Sequence, residues 1–503
     1  MSADTQNETR ARFDAPGDVS VADLATVEGV AQIAAPVVVE LDAEHFDTAE
    51  LSLLAADIGL RRRRGGPDAG WHLEIASTRG ERLEAHEPLG AARGQPPQAL
   101  RDLVVARTRS TPLQRVARLR TYRTRYRLLD AGGAALAEVA DDTVTADVPG
   151  RAPATWREIE VELTGGDRSL LTAVEHELTA RGAVPSAVSS PLARALADRI
   201  PAPPSGSDDG APSTAGDVVR RYLGDQVAVL IDVDPAVRVD LDDAVHKMRV
   251  ATRRLRSALA TYRRLLDTDV TEPVRAELKW LAGALGAVRD AEVIRGHLLE
   301  AVGAEPAELV IGPVRARVER TLDERHDAAR RRLLDELTSP RYLRLLAALD
   351  HLPDAVAAGT RAGKPAGRVL VAEVRRTHRR MRRHLDAALA ASGFEADELL
   401  HEVRKAAKRV RYAAESASDV LGSKADTLAG RMEEAQETLG RHQDGVVTRA
   451  VLEQLARDAD AEREPSFTYG RLDACEQRRG DEARAAFLAL VDDHWSRQPR
   501  WMR

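Results

Sequence analysis

Two different rhythms of apolar and polar positions run along this chain. Up to about residue 200 they alternate with a period of two, the spacing that turns one face of a strand toward a core. Across 70–77, Trp71, Leu73 and Ile75 point one way and His72 and Glu74 the other; across 156–163, Ile159, Val161 and Leu163 oppose Glu158, Glu160 and Glu162. The run Asp130-Ala131-Gly132-Gly133 between two alternating segments predicts a hairpin turn. Further strands are expected at 36–41, 59–64, 116–129, 134–140 and 143–148, and helices at about 47–57, 96–107 and 167–181. This part reads as a mostly antiparallel β domain with a few helices.

From residue 217 the rhythm changes to 3.6 residues, in long Arg-, Leu-, Ala- and Glu-rich segments broken only by short Gly or Pro punctuation. Between the two parts, 201–216 reads PAPPSGSDDGAPSTAG, a stretch with almost nothing to bury and the composition of a flexible linker. The expected organisation is a β domain at 1–200, a linker at 201–216 and an all-helical domain at 217–503, an α+β multidomain chain.

Composition agrees. The 503 residues are 43% apolar and 31% charged, which allows large cores and argues against global disorder. The single cysteine, Cys475, excludes an internal disulfide framework. There is no apolar run of membrane-spanning length and no basic-then-apolar start, so a soluble, cytoplasmic protein without a membrane partner is expected. Charge is uneven: residues 1–216 hold 24 basic and 32 acidic side chains, residues 217–503 hold 50 and 48, and all six lysines lie in the second part. Neither part has the overwhelming positive charge of a nucleic-acid module, so any anion site must arise from local clustering.

Such clustering exists, and it is duplicated. His246-Lys-Met-Arg249-Val-Ala-Thr-Arg253-Arg254-Leu-Arg256 recurs 155 residues later as His401-Glu-Val-Arg404-Lys405-Ala-Ala-Lys408-Arg409-Val-Arg411. Leu285-Gly286-Ala-Val-Arg289-Asp290 recurs after 154 as Leu439-Gly440-Arg-His442-Gln443-Asp444, and Val219-Arg220-Arg221 after 155 as Val374-Arg375-Arg376. Three landmarks in one order and nearly one spacing indicate two copies of a helical bundle, at about 217–360 and 370–500, packed with pseudo-twofold symmetry.

On a helix, positions i, i+3, i+7 and i+10 form a stripe. His246, Arg249, Arg253 and Arg256 therefore share a face, as do His401, Arg404, Lys408 and Arg411, while Arg254, Lys405 and Arg409 flank them. The segment 374–385 adds Arg375, Arg379 and Arg382 among other arginines. Like charges stacked this way destabilise an isolated helix, so the stripes point to an anionic partner, and two facing stripes would line a basic groove for a long polyanion. Histidines at matched positions suit donation to phosphate and titration near neutral pH. Asp290 and Asp444 read as structural carboxylates that orient a basic side chain or cap a helix.

These segments (VHKMRVATRRLRS, LGAVRDAEV, LHEVRKAAKRVRYA and LGRHQDGVV) resemble the CHAD domain, the conserved histidine α-helical domain. The resemblance implies two four-helix bundles around a basic cavity that binds inorganic polyphosphate through the His, Arg and Lys residues just named. It also suggests association with polyphosphate granules.

The first part resembles the CYTH domain, the fold of the triphosphate tunnel metalloenzymes, in ELDAEHFDT, IGLRRRR, GWHLEI, VARLRTYRTRYRLLD, EVADDTVTA and WREIEVEL, closing with SSPLARAL. That resemblance implies an antiparallel β-barrel forming a tunnel in which Lys and Arg hold a triphosphate and Glu and Asp hold Mg²⁺ or Mn²⁺. Arg61, Arg63, Arg118, Arg120 and Arg123 are the candidate phosphate ligands, although 120 and 123 differ in strand parity. Glu8, Asp141, Glu158, Glu160 and Glu162 are the candidate metal ligands. Several positions depart from the pattern. The expected Glu-x-Glu-x-Lys is Glu8-Thr9-Arg10-Ala11-Arg12, the Lys of the Trp-His-Leu-Lys strand is Glu74, and the closing Lys is Pro191. A cation stands where a metal ligand belongs and an anion where phosphate belongs.

The chain therefore reads as a polyphosphate-binding protein with a degenerate, inactive tunnel domain. The alternative is an active metal-dependent triphosphatase fed by the helical domain. A nucleic-acid binder is disfavoured by the scarcity of aromatics for base stacking, 3% of residues, and the lack of a recognisable nucleic-acid motif.

Overall fold

The computed structural model describes residues 10–66, 68–76, 82–90, 94–109, 111–200, 213–356, 361–491 and 499–502. It separates into two units, Met1–Ser207 and Asp208–Arg503.

The first unit is built on β1 (Arg10–Asp14), β2 (Gln32–Ile33), β3 (Val37–Asp47), β4 (Ile58–Arg64), β5 (Gly70–Ala76), β6 (Arg82–Pro88), β7 (Gln114–Leu129), β8 (Ala135–Asp147), β9 (Ala154–Leu163) and β10 (Val184–Pro185). Three helices accompany them: α1 (Gln98–Thr108), α2 (Arg168–Ala180) and α3 (Pro191–Ala195). All pairings are antiparallel, in the order β10-β1-β9-β8-β7-β3-β4-β5-β6, with β2 added to the end of β7. Among the described residues no ladder joins β6 to β10, so the expected barrel is an open sheet. It nevertheless wraps: side chains from β1, β3, β4, β5, β7, β8 and β9 line one cavity.

Two local expectations fail for physical reasons. The helix expected at 47–57 is a tight turn closed by a short 3₁₀ segment at Leu54–Ala56. Buried Asp47 accepts the backbone N–H groups of Thr48, Leu53 and Leu54 at 2.7–2.9 Å, and Leu51 and Asp57 adopt left-handed φ angles, which no α-helix tolerates. The two strands expected at 134–140 and 143–148 are one strand, β8. The Asp141-Asp142 pair that looks like a break sends one carboxylate to each face, where Arg157 and Arg123 respectively hold them with paired hydrogen bonds.

The second unit is helical: α4 (Ala215–Arg238), α5 (Ala244–Thr261), α6 (Thr268–Ala304), α7 (Val314–Thr338), α8 (Pro340–Asp350), α9 (Ala366–Ala390), α10 (Gly393–Glu415), α11 (Ser418–Leu421), α12 (Ser423–Ala461) and α13 (Phe467–Leu490). The linker expected to reach 216 ends earlier. Thr214 caps α4 in a reciprocal capping box with Asp217, and residues 201–212 lie outside the described set.

The duplication is visible in the elements. Helices α4, α5, α6 and α7 recur in order as α9, α10, α12 and α13, and α5 packs on α10 as α4 packs on α9. The copies share one core. Leu298, Val302, Val318 and Leu322 of the first copy interlock with Leu452, Leu455, Tyr469 and Leu472 of the second. A buried 2.6 Å hydrogen bond between the Tyr262 hydroxyl and Ser416 Oγ ties α5 to the end of α10.

Candidate anion-binding cavity

The first three turns of α5 and the middle turns of α10 direct their basic residues inward onto the same space. His246, Arg249 and Arg253 from one copy and His401, Arg404 and Lys408 from the other line a single cavity of about 950 Å³. Helix α6 closes it with Arg289, Asp290 and His297, α12 with Arg441, Gln443 and Asp444, and α13 with Glu476, Arg479 and Glu482. Helices stacking on the shared core bring the copied stripes face to face.

The electrostatics of this space are strained toward anion capture. Among the described residues His246, Arg253, His401 and Lys408 make no ion pair or hydrogen bond, and His401 Nδ1 is buried without a partner. Burial, followed by Arg253, Arg404 and Arg249, pulls the Lys408 ammonium down to about 7, with Asp444 working against the shift. Burial likewise lowers His246, with Arg289 next, and His401, with Lys405 next. Arg249 and Arg404 are also lowered by burial, each with an aspartate (Asp290 and Asp444) working against the shift. Asp290 stands 3.4 Å from Arg249 Nη2, the orienting contact expected of it. At the rim, His297 Nε2 meets Glu476 Oε1 at 2.9 Å, bridging α6 to α13.

Eight of the fourteen cations expected on this site are elsewhere. Arg256 and Arg411 lie about 15 Å along the helix axis from the histidine that starts each stripe, past the end of the cavity. Arg411 and Arg254 instead share Glu415, at 2.6 and 3.0 Å. Lys405 pairs with Glu402 at 2.8 Å, Arg382 reaches Asp386 at 3.6 Å, and neither Arg409 nor Arg375 and Arg379 of α9 lines the cavity. Conversely, Arg441, His297, Arg479, Glu476 and Glu482 were not anticipated. His297 follows Asp290 by seven residues, the same-face spacing that could have flagged it; the α13 residues carry no repeat signature.

The β unit holds a smaller cavity of about 280 Å³, lined by Arg10, Arg12, His45, Arg61, Arg63, Glu74, Arg123, Asp142, Glu160 and Glu162. Of the five expected arginines, Arg61, Arg63 and Arg123 reach it. Arg118 and Arg120 have the opposite parity and do not line it, Arg118 being held by Asp42 at 2.6–2.7 Å. Asp141 is on the far face with Arg157 at 2.8 Å, and Asp142 takes the inward place. Glu8 lies outside the described residues. Buried His45, its Nδ1 unpartnered, was not anticipated; burial and then Arg61 drive it down to about 3, so it is neutral.

Every inward carboxylate is already answered. Arg10 contacts Glu160 and Glu162 at 3.3 and 2.9 Å, and Arg12 contacts Glu160 at 3.0 Å. Arg123 holds Asp142 at 2.6 Å and Arg61 holds Glu74 at 2.5 Å. Glu158, 2% exposed, accepts from the Trp156 indole N–H at 2.8 Å, and burial raises its pKa. A hard divalent ion requires oxygen ligands, free carboxylates among them, converging on one point. Guanidinium groups occupy that role here, and among the described residues no three His, Cys, Asp or Glu side chains are placed to hold a metal. The described residues do not fit the Mg²⁺ or Mn²⁺ of the tunnel enzymes. Also among the described residues, no helix is long and apolar enough to cross a membrane.

Comparison with known proteins places both units. Residues 19–187 match the CYTH domain and residues 221–453 the CHAD domain. Two uncharacterized proteins of Mycobacterium tuberculosis, MT2285 (strain CDC 1551 / Oshkosh) and Rv2226 (strain ATCC 25618 / H37Rv), are each 37% identical over 448 residues, covering 86% of this chain and 85% of theirs. Among solved structures, PptA from Streptomyces chartreusis is 23% identical with a TM-score of 0.47, over 56% of this chain and all of its own. The CHAD domain from the plant Ricinus communis is 22% identical with a TM-score of 0.45, over 57% of this chain and 94% of its own. The chain thus belongs to the family in which a CYTH domain is followed by a CHAD domain.

Proposed function

We propose that this protein binds inorganic polyphosphate in the cavity between its two helical copies, and that its tunnel domain does not hydrolyse triphosphates. The observation that carries the reading is the convergence of His246, Arg249 and Arg253 with His401, Arg404 and Lys408 on one space. Six cationic or titratable groups from two copies face each other, and of the lining carboxylates Asp290, Asp444, Glu476 and Glu482, Glu476 is taken by His297 and Arg479, an arrangement that favours entry of a polyanion. A linear phosphate chain supplies an oxygen to each of several donors without requiring a specific shape. Polyphosphate granules are the natural cellular partner of such a site, and nothing in it reads bases. In the β unit, Arg10, Arg12, Arg61 and Arg123 are paired with Glu74, Asp142, Glu160 and Glu162, and Arg63 with Asp68, which among the described residues leaves no carboxylate cluster for a metal.

The test is a titration of the full chain with long-chain polyphosphate at several salt concentrations, beside the variant Arg249→Ala, Arg253→Ala, Arg404→Ala, Lys408→Ala. Binding should weaken steeply with salt, because each phosphate contact releases a counterion (by analogy with nucleic acids), and the variant should lose it while keeping its helicity. Unchanged affinity in the variant would overturn the proposal. Robust Mg²⁺- or Mn²⁺-dependent hydrolysis of tripolyphosphate, lost in Glu160→Ala, would overturn the reading of the tunnel.

A further inference from the structure

The two copies are not electrostatically equivalent outside the cavity. Where α10 leaves the cavity, Arg411 and its neighbour Arg254 are neutralised: Glu415 bonds both, and Glu433 of α12 reaches Arg411 at 2.7 Å. The duplication defines what stands at the equivalent places on the other side. Offsets of 155 and 154 residues pair Glu415 with Ala260, Glu433 with Lys279, and Asp225 of α4 with Arg380 of α9. Three acids on one side become an apolar residue and two cations on the other.

The cations left there are Arg256 of α5, Arg409 of α10 and Arg380 of α9, which among the described residues make no ion pair. Arg256 Nε is buried without a hydrogen-bond partner. Arg409 is lowered first by burial and then by Arg380, Arg275, Arg256 and Arg376 around it. The two nearby acids are spent: Glu272 holds Arg275 at 2.6 Å and Glu373 holds Arg376 at 2.6 Å. None of these arginines lines the central cavity.

We infer that Arg256, Arg380 and Arg409 form a second anion site, for a compact inorganic phosphoryl group, on one side of the helical unit only. Its ligand has the chemistry of the cavity's but a separate seat. Three guanidinium forks from three helices, two of them half-buried, can surround a tetrahedral anion, and the acids that cancel the equivalent cluster are missing.

The experiment is calorimetric titration of the full chain with tripolyphosphate, too short to span far, in three variants: Arg256→Gln with Arg409→Gln, Ala260→Glu, and the cavity pair Arg253→Gln with Lys408→Gln. The wild type should take a second equivalent that survives in the cavity pair. The double glutamine variant should lose it, and Ala260→Glu, which restores the acid at the place of Glu415 on the half-exposed face of α5, should weaken it at least about tenfold, as expected for loss of a charge-assisted contact. If Arg256→Gln with Arg409→Gln fails to fold, Ala260→Glu decides alone. An isotherm unchanged in Ala260→Glu, or loss of all binding in the cavity pair, overturns the second site. A single equivalent that is lost in Ala260→Glu and kept in the cavity pair would instead uphold this site and remove the cavity reading.

Discussion

The Arg404 guanidinium lies directly over Gly440, so close that a Cβ at that position would stand 3.0 Å from Nη2. The copied pair, Arg249 over Gly286, is looser, with 3.9 Å to Nε. Both glycines sit inside long helices, where glycine costs about 1 kcal/mol relative to alanine, and at Gly440 the contact explains why that cost is carried. Gly440→Ala should raise the thermal midpoint slightly through helix propensity and, by pushing Arg404 out of place, weaken polyphosphate binding several-fold. Gly286→Ala should stabilise without the loss of affinity. Calorimetry and melting on both variants check this, and equal affinities for the two would show that the glycines do not position the arginines.

Lys408 makes the cavity sensitive to pH. Its ammonium is held at about 7 in the folded protein, far below its ordinary 10.5, so the folded state binds fewer protons than the unfolded chain between those two values. Stability of the ligand-free protein should therefore rise as pH increases through that window, and the contribution is absent below about 7, where Lys408 is charged in both states. Binding has the opposite sign. A polyanion favours the charged ammonium, so affinity should fall from about pH 6.5 to 9 as that one charge is lost, and binding near pH 8 should take up a proton, visible as a buffer-dependent enthalpy. Lys408→Arg should flatten both profiles.

Much of this is legible in the sequence, but unevenly. The duplicated His-x-x-Arg-x-x-x-Arg/Lys core named six of the cavity's groups because helical periodicity links sequence spacing to a shared face. It overreached at Arg256 and Arg411, since periodicity gives direction and not where along the axis a cavity ends. Asp141 was chosen over Asp142 in the β unit because nothing local sets the parity of a strand with two adjacent acids; the ladder with β9 does, through Arg157. The quenching of Glu160 and Glu162 followed from Arg10 and Arg12 being the wrong residues for a metal site, although their contacts depend on β1 pairing with β9, a partner about 150 positions away.

Arg317 of α7 had no signal at all. It is 2% exposed and reaches across to the other copy, meeting Glu462 at 2.7 Å and also Glu464, in the turn between α12 and α13. Arg317→Met should destabilise the helical unit by about 2 kcal/mol, the worth of hydrogen bonds to charged groups, in a urea melt, with polyphosphate affinity unchanged because the residue is remote from the cavity lining. Loss of affinity at full folding would place Arg317 in the binding machinery instead.

In the β unit, Arg12 does what the expected tunnel lysine could not. One guanidinium donates to the Ser189 carbonyl at 2.9 Å and to Glu160 at 3.0 Å, while its Nε lies 3.8 Å from Glu158. It thereby ties β1 to β9 and to the segment that leads into α3. Glu158 is buried and its pKa is raised by that burial, so its charged form is tolerated only beside a cation. Arg12→Met should cost on the order of 3 kcal/mol at neutral pH, the penalty for stranding a buried carboxylate. Because a raised carboxyl pKa loses stability as pH rises through the titration, the penalty should shrink as pH falls and Glu158 takes up a proton and no longer needs a partner. Arg12→Lys should recover the charge but not the fork, and so only part of the stability. Urea melts of the full chain at pH 5 and 8, followed by the tryptophan signal of the β unit, measure both; an identical loss at the two pH values would mean that Arg12 acts through the Ser189 contact and not through the carboxylates.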